Sequence, residues 1–187
     1  MKKTMNRSLI VLLTLVPAAA LAHPGHGDHG LVSGFTHPLL GWDHLLAMVA
    51  VGMLAVLGRE QKAWQLPLAF VAAMVAGALL GIGGVGMAGV ETGILASLVV
   101  LGGMLAAGVT GFTGLALGLC ALFGLFHGNA HGLELPAHGS ALGYFAGFVA
   151  ATALLHAAGW LAAGKIHATA VRIVGAAMAS AGLLAAI

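Results

Sequence analysis

Residues Val90 to Ala107 read VETGILASLVVLGGMLAA, a run whose one ionisable side chain, Glu91, stands at its very start. Coiled as an α-helix at 1.5 Å per residue, it covers most of the roughly 30 Å of hydrocarbon in a bilayer. Working outward, five further runs of the same character flank it: Thr36 to Gly58, Pro67 to Val85, Gly111 to His131, Gly139 to Ala163 and Ala168 to Ala186. The third and fourth runs are nearly continuous, separated only by the weak break Gly108-Val-Thr-Gly111. The predicted fold is an all-α integral membrane protein, a compact bundle of about six transmembrane helices over residues 36–187.

Composition agrees with a chain dissolved in lipid. Sixty per cent of residues are hydrophobic and 6% charged, with a mean hydropathy of +1.06, values at which a soluble domain aggregates. The pI near 9.0 does not point to nucleic acid, because the few Lys and Arg residues are scattered and form no basic stripe for phosphates. The single cysteine, Cys120, excludes both a disulfide framework and a cysteine-rich metal cluster.

Ahead of the first run, Lys2, Lys3 and Arg7 precede the apolar stretch Leu9 to Val16 and the small-x-small site Ala20-Leu-Ala22. This is the pattern of a cleaved signal peptide over residues 1–22. Residues 23–35 form a Gly- and His-rich outer leader containing His23, His26 and His29, a polar segment that builds no core. The mature N-terminus is then outside, in the periplasm if the membrane is a bacterial inner membrane. Arg59 and Lys62 fall after the first span, and Lys165 and Arg172 flank the connection between the fifth and sixth. All four belong to the inner side on this count, and the three outer loops carry no Lys or Arg, as the positive-inside rule requires.

Lipid gives helices no hydrophobic reason to associate, so small residues that admit close backbone approach are the expected glue. Glycines recur four apart at Gly77 and Gly81, at Gly114 and Gly118, at Gly124, Gly128 and Gly132, and at Gly143 and Gly147. Together they predict a tight bundle with little lumen. Trp42, Trp64 and Trp160 lie toward run ends, where aromatic anchors sit at the lipid–water boundary.

Ionisable side chains inside a bilayer cost roughly 2.5 to 3.5 kcal/mol each on insertion scales, so those that persist mark function. In the first run, His37-Pro-Leu-Leu-Gly-Trp-Asp43-His44 brings His37 and His44, seven apart, to nearly one face of a regular helix. Their backbones are then about 10 Å apart, and a shared ion needs the helix start to unwind at Pro38 or the side chains to converge. The fourth run ends in Phe126-His127-Gly-Asn-Ala-His131-Gly-Leu-Glu134. His127 and His131 are one turn apart on one face, about 6 Å from each other, and Glu134 continues that face. Two imidazoles so spaced, joined by a carboxylate, suit a divalent transition metal.

Glu91 and His138 fall on the same outer side. Cys120 shares the His127 face as a soft ligand, although small buried packing is its ordinary role. His156 is the one histidine in the inner half of a span. It reads as a residue bonded to a neighbouring carbonyl, with an exit ligand or a proton carrier as the other readings. The leader histidines form either a capture site or a solvated loop. Nitrogen and carboxylate donors favour Ni(II), Co(II), Zn(II) or Cu(II) over Cu(I), an iron–sulfur cluster, Mg or Ca.

The segments His23-Pro-Gly-His, His37-Pro-Leu-Leu-Gly-Trp-Asp43-His44-Leu-Leu-Ala-Met48 and Phe126-His127-Gly-Asn-Ala-His131-Gly-Leu-Glu134 resemble the HupE/UreJ family of hydrogenase and urease accessory membrane proteins. The resemblance covers essentially the whole chain. It implies a permease for Ni(II), or cobalt in some relatives, feeding metalloenzyme maturation, with His37, Asp43, His44, His127, His131 and Glu134 as metal positions. Membrane lipid and the ion are the partners so implied.

A secondary transporter is therefore the expected function, and no G-x-x-x-x-G-K-[ST] motif offers ATP coupling within the chain. The alternative is an intramembrane metal-dependent hydrolase using the same cluster to activate water. Against it, His-Glu-x-x-His is absent and Glu134 follows its histidines instead of lying between them. A metal sensor would need a sizeable soluble domain, which the chain lacks.

Overall fold

The computed structural model describes residues 30–57, 64–109, 113–135 and 140–187. Residues 1–22, read above as a signal peptide, His23, His26, His29, the Arg59 and Lys62 loop, and His138 lie outside them. Seven helices fill the described residues: α1 Leu31–Leu40, α2 Trp42–Leu57, α3 Gln65–Ile82, α4 Val90–Ala107, α5 Thr113–Leu133, α6 Ala141–Lys165 and α7 Ala168–Ala185. Among them α3, α4, α6 and α7 are each long and apolar enough to cross a membrane, and α1 with α2 passes the same test as one bent pair. α5 is 21 residues long, and its apolar character falls off in the last turns, where His127, Asn129 and His131 are carried.

The first apolar run is not one continuous helix. α1 and α2 meet at 87°, and α1 begins five residues earlier than the run predicted from Thr36. Pro38 sits inside α1 and has no N–H to give the carbonyl one turn back, yet the chain breaks three residues later, at Gly41. That residue takes an extended conformation, and its carbonyl accepts the first hydrogen bond of α2, from Leu45 N at 2.9 Å. The elbow replaces the regular-helix spacing expected between His37 and His44.

The helices pack mainly in pairs: α3 with α5, α4 with α7, and α6 with both α1 and α2. Glycine makes these approaches possible. A Cβ on Gly128 or Gly124 would overlap the Met74 or Phe70 carbonyl of α3, and one on Gly77 would overlap the Leu125 carbonyl of α5. Gly34 and Gly52 meet the Tyr144 and His156 carbonyls of α6 in the same way, and Gly147 meets Leu31 of α1. Gly114 and Gly118 have no described atom within 4 Å of a built Cβ; their spacing is that of ordinary membrane-helix composition.

α4 is bracketed by two left-handed glycines, Gly89 at φ 71° and Gly108 at φ 65°. At the latter, Gly108 N donates to Leu105 O and Val109 N to Met104 O, the paired bonds of a Schellman stop. What reads as a weak break is a firm helix end. The interior is apolar, built on Met48, Val51, Phe70, Met74, Leu101, Leu105, Phe123 and Phe148. Outward faces are apolar too, with Leu79, Ile173 and Leu184 more than half exposed, as a lipid solvent demands.

The bundle has electrically distinct ends. Arg172 Nε donates to Ala106 O at 2.8 Å, fixing the C-terminus of α4 beside the start of α7. The opposite end of α4, with Glu91 in its first turn, is tied to the end of α5. There Asn129 Oδ1 accepts from Met87 N at 2.8 Å, and Asn129 Nδ2 donates to Val85 O at 2.8 Å and Gly77 O at 3.3 Å.

Candidate metal site

The elbow at Gly41 and the end of α5 face one another. α1 lies across α6, held there by the glycine contacts, and this carries His37 over the C-terminal turns of α5. His37 Nε2 reaches Glu134 Oε2 at 3.3 Å although the two residues are 97 apart in sequence. His131 Nδ1 lies 3.7 Å from the same oxygen. One ligand atom each from His37, His131 and Glu134 falls within 4.8 Å of the others, a group that could close around a single cation.

Burial is graded along this cluster. The side chains of Glu134 and His37 are 56% and 38% exposed, whereas His131 is 2% exposed and His127, one turn deeper, is fully buried. Beside it, the His44 ring lies 4.5 Å from that of His131 and 4.9 Å from that of His127, centroid to centroid. The four imidazoles of His37, His131, His44 and His127 thus form a continuous file leading inward from an accessible rim.

Hydrogen bonding fixes how two of these rings are protonated. His127 Nδ1 lies 2.8 Å from Phe123 O, and a carbonyl only accepts, so Nδ1 carries the hydrogen and Nε2 keeps its lone pair. His44 Nδ1 lies 2.7 Å from Asp43 Oδ1, with the same result. In both rings Nε2 is buried with no hydrogen-bond partner, and so are both nitrogens of His131. Buried nitrogens are ordinarily satisfied. A set of lone pairs held ready in this way has the donor chemistry of a transition-metal site, with a carboxylate orienting His44 and a carbonyl orienting His127 from behind. The His131 and His37 side chains beside Glu134, outweighing its partial burial, hold its carboxyl well below the usual carboxylate range.

The other predicted residues are placed elsewhere. Asp43 touches the cluster through His44 rather than presenting its bonded oxygen to it. Glu91 is exposed and makes no hydrogen bond or ion pair among the described residues. Cys120 is wholly buried in the apolar core and does not join the group of ligand atoms. His156 is buried in α6, and neither of its nitrogens has a partner, so the carbonyl bond expected for it is not formed. Aromatic residues that the sequence reading passed over complete the walls. Phe148 packs 4.2 Å from the His131 ring, Tyr144 lies 5.9 Å from His37, and Phe70 5.3 Å from His127. Tyr144 and Phe148, four apart in α6, carry the one-face spacing that could have suggested them.

Comparison with known proteins gives the family. The family model described as HupE / UreJ protein matches residues 11–185. The chain belongs to the HupE/UreJ family. Within that family it is 41% identical over 189 residues to Protein HupE of Rhizobium leguminosarum bv. viciae, the alignment covering 97% of each chain. No solved structure matches. Membership in HupE/UreJ places the chain among membrane proteins, consistent with its apolar helices.

Proposed function

We propose that this HupE/UreJ protein is a secondary permease that takes Ni(II) inward across the bacterial inner membrane to supply metalloenzymes such as hydrogenase or urease. Co(II) and Zn(II) are further cations that the same donors accept. In this reading residues 1–22 are cleaved as a signal peptide, the periplasmic leader that follows ends where α1 begins at Leu31 instead of at residue 35, and the rest of the chain crosses the membrane six times, with the bent α1–α2 pair as the first span and α5 as the fourth.

The observation that carries the proposal is the meeting of His37 with His131 and Glu134, the last 97 residues away in sequence, above a file of buried imidazoles with unclaimed lone pairs. A hydrated divalent cation is first met by Glu134 and His37 at the rim, where charge favours it. It then exchanges water for the nitrogens of His131, His44 and His127 as it moves deeper. Two nitrogen-rich levels of similar chemistry let the ion pass without being trapped at one of them. The wall of Phe148, Tyr144 and Phe70 keeps bulk water from following. Polarity supports inward movement: Glu91, Glu134 and the four clustered histidines lie toward one end of the bundle, and Lys165, His167 and Arg172 toward the other.

Uptake of radioactive nickel and cobalt into proteoliposomes tests the reading. Wild-type protein should accumulate the ion, and His131→Ala should abolish accumulation while the protein remains folded. Undiminished uptake by His131→Ala would sink the proposed route.

A further inference from the structure

We propose that α1 is seated in the outer leaflet of the bilayer as a surface-lying helix, so that lipid holds His37 over the metal cluster and α2 alone crosses the membrane in the first span. The inference rests on the topology of the reading above and adds the bilayer as a partner of that site.

The side of α1 that the described residues leave open is apolar. Val32, Thr36, Leu39 and Leu40 follow one another at i, i+4, i+7 and i+8, a single stripe of the helix, and all four are exposed, Leu40 to 79%. Gly34 and Pro38, on another side, are buried. The Thr36 hydroxyl is the one polar side-chain group in the stripe, and it turns back to the Val32 and Ser33 carbonyls at 3.1 and 3.2 Å. α1 contains no Asp, Glu, Lys or Arg. Such a stripe is costly in water and is the expected face of a helix lying in the lipid boundary. The charged face usual in such helices is missing because the other sides of α1 are taken up by α6 and the cluster.

Direction and depth agree with that seat. α1 meets α2 at 87°; where α2 crosses with the average tilt of about 20°, the axis of α1 lies at least about 67° from the membrane normal. It packs on α6 at Gly143 and Gly147, in the first two turns of a helix that starts at Ala141. At 1.5 Å per residue these positions lie within about 9 Å of the outer end of α6, and interfacial helices rest about 5–10 Å into the headgroup and acyl boundary. Trp42, 44% exposed at the elbow, has the place of an aromatic anchor. Leu142, 83% exposed beside Gly143, continues the apolar surface from α1 onto the lipid-facing side of α6.

Seating α1 also seats His37. Its ring leaves the helix on a different side from the stripe and reaches Glu134 Oε2 at 3.3 Å, whereas His131 and Glu134 are carried by α5 and the residues just beyond it, against α3. Lipid pressing on the stripe therefore bears on the separation between the two parts of the cluster.

The test uses the full chain in phospholipid nanodiscs. Nitroxide labels on Val32→Cys and Leu40→Cys, each in a Cys120→Ala background, should collide more with oxygen than with chromium oxalate, at a depth of about 5–10 Å below the phosphates. A preference for chromium oxalate at both would put the stripe in water and overturn the proposal. Labels reached by neither reagent would overturn it too, since a second copy or another protein would then cover the face. Equilibrium Ni(II) binding reads the link to His37. Leu40→Asp, which sets a charge against lipid, should weaken binding by about tenfold, the scale of losing support for a ligand, and should add no further loss in His37→Ala. Wild-type affinity in Leu40→Asp, or an equal loss with His37 absent, would overturn the link. None of these measurements requires transport, so a wild-type protein that gives this pattern but takes up no nickel in proteoliposomes would refute the permease reading and leave the seat of α1 standing.

Discussion

Asp43 accepts two hydrogen bonds on one carboxylate oxygen, from the backbone N–H of His44 at 2.8 Å and from its Nδ1 at 2.7 Å. The acid is committed to holding its neighbour, whose Nε2 is thereby left as a buried lone-pair donor on a ring 4.9 Å from that of His127 and 4.5 Å from that of His131. Orienting acids of this kind are worth about 10- to 100-fold in metal affinity. Asp43→Ala should weaken nickel binding on that scale without changing the number of ions bound, and Asp43→Asn, which keeps an acceptor oxygen, should lose less. Competition titration against a chelator measures both. A changed stoichiometry would show that Asp43 is itself a ligand.

Glu134 gives a pH signature. Its carboxyl is held below its ordinary value of 4.5 by His131 and His37, so the folded state favours the ionised form. That contribution to stability is complete above the unfolded value and fades as pH falls below 4.5 toward the folded one. Because the side chain is half exposed, solvent screening keeps it small. Thermal unfolding of the metal-free protein should therefore show a difference between wild type and Glu134→Gln that narrows as pH is lowered through this window. A difference that stays constant would contradict the pairing.

Helix packing offers a test of opposite signs. Gly128→Ala places a methyl group against the Met74 backbone carbonyl, which cannot move without separating α3 from α5, and overpacking of this kind costs about 1–3 kcal/mol. Gly118→Ala meets no described atom within 4 Å and should be neutral or stabilising by up to about 1 kcal/mol, the helix preference for Ala over Gly. Unfolding midpoints in one detergent compare the two. Equal effects would mean that the α3–α5 seam is looser than described.

Asn129 lies between the two histidines of α5 but serves the α3–α4 connection, whose Val85 and Met87 backbone it holds. Asn129→Ala removes the side-chain partner of the part-buried Val85 and Met87 backbone groups, a loss of about 0.5–1.5 kcal/mol per bond. Its clearest consequence should be local: faster hydrogen exchange at the Met87 amide, with the amides in the middle of α4 unchanged. Retained protection at Met87 would refute the tie.

Much of this was legible in the sequence because hydropathy and helical spacing are local properties. The Val90 to Ala107 run and the start of α7 at Ala168 coincide with the observed helices, and His127 and His131 share a face as their spacing requires. The elbow was not legible as placed, since Pro38 carries the stronger breaking signal while Gly41 is where the chain turns. Nor could periodicity separate Gly128, pressed on a carbonyl, from Gly118, which meets nothing described; only a partner helix distinguishes them. Phe70 sits in an apolar run like any core aromatic, and its contacts with both His127 and His156 arise from the packing of α3 against two other helices.

The attachments of α1 divide the cluster mechanically. His37 rides on a helix clamped to α6 through Gly34 and Gly147, whereas His131 and Glu134 belong to the body formed by α5 and α3. A cation gripping both halves would act as a latch across a seam, tightening as the two bodies close and letting go once either slides by a helical turn.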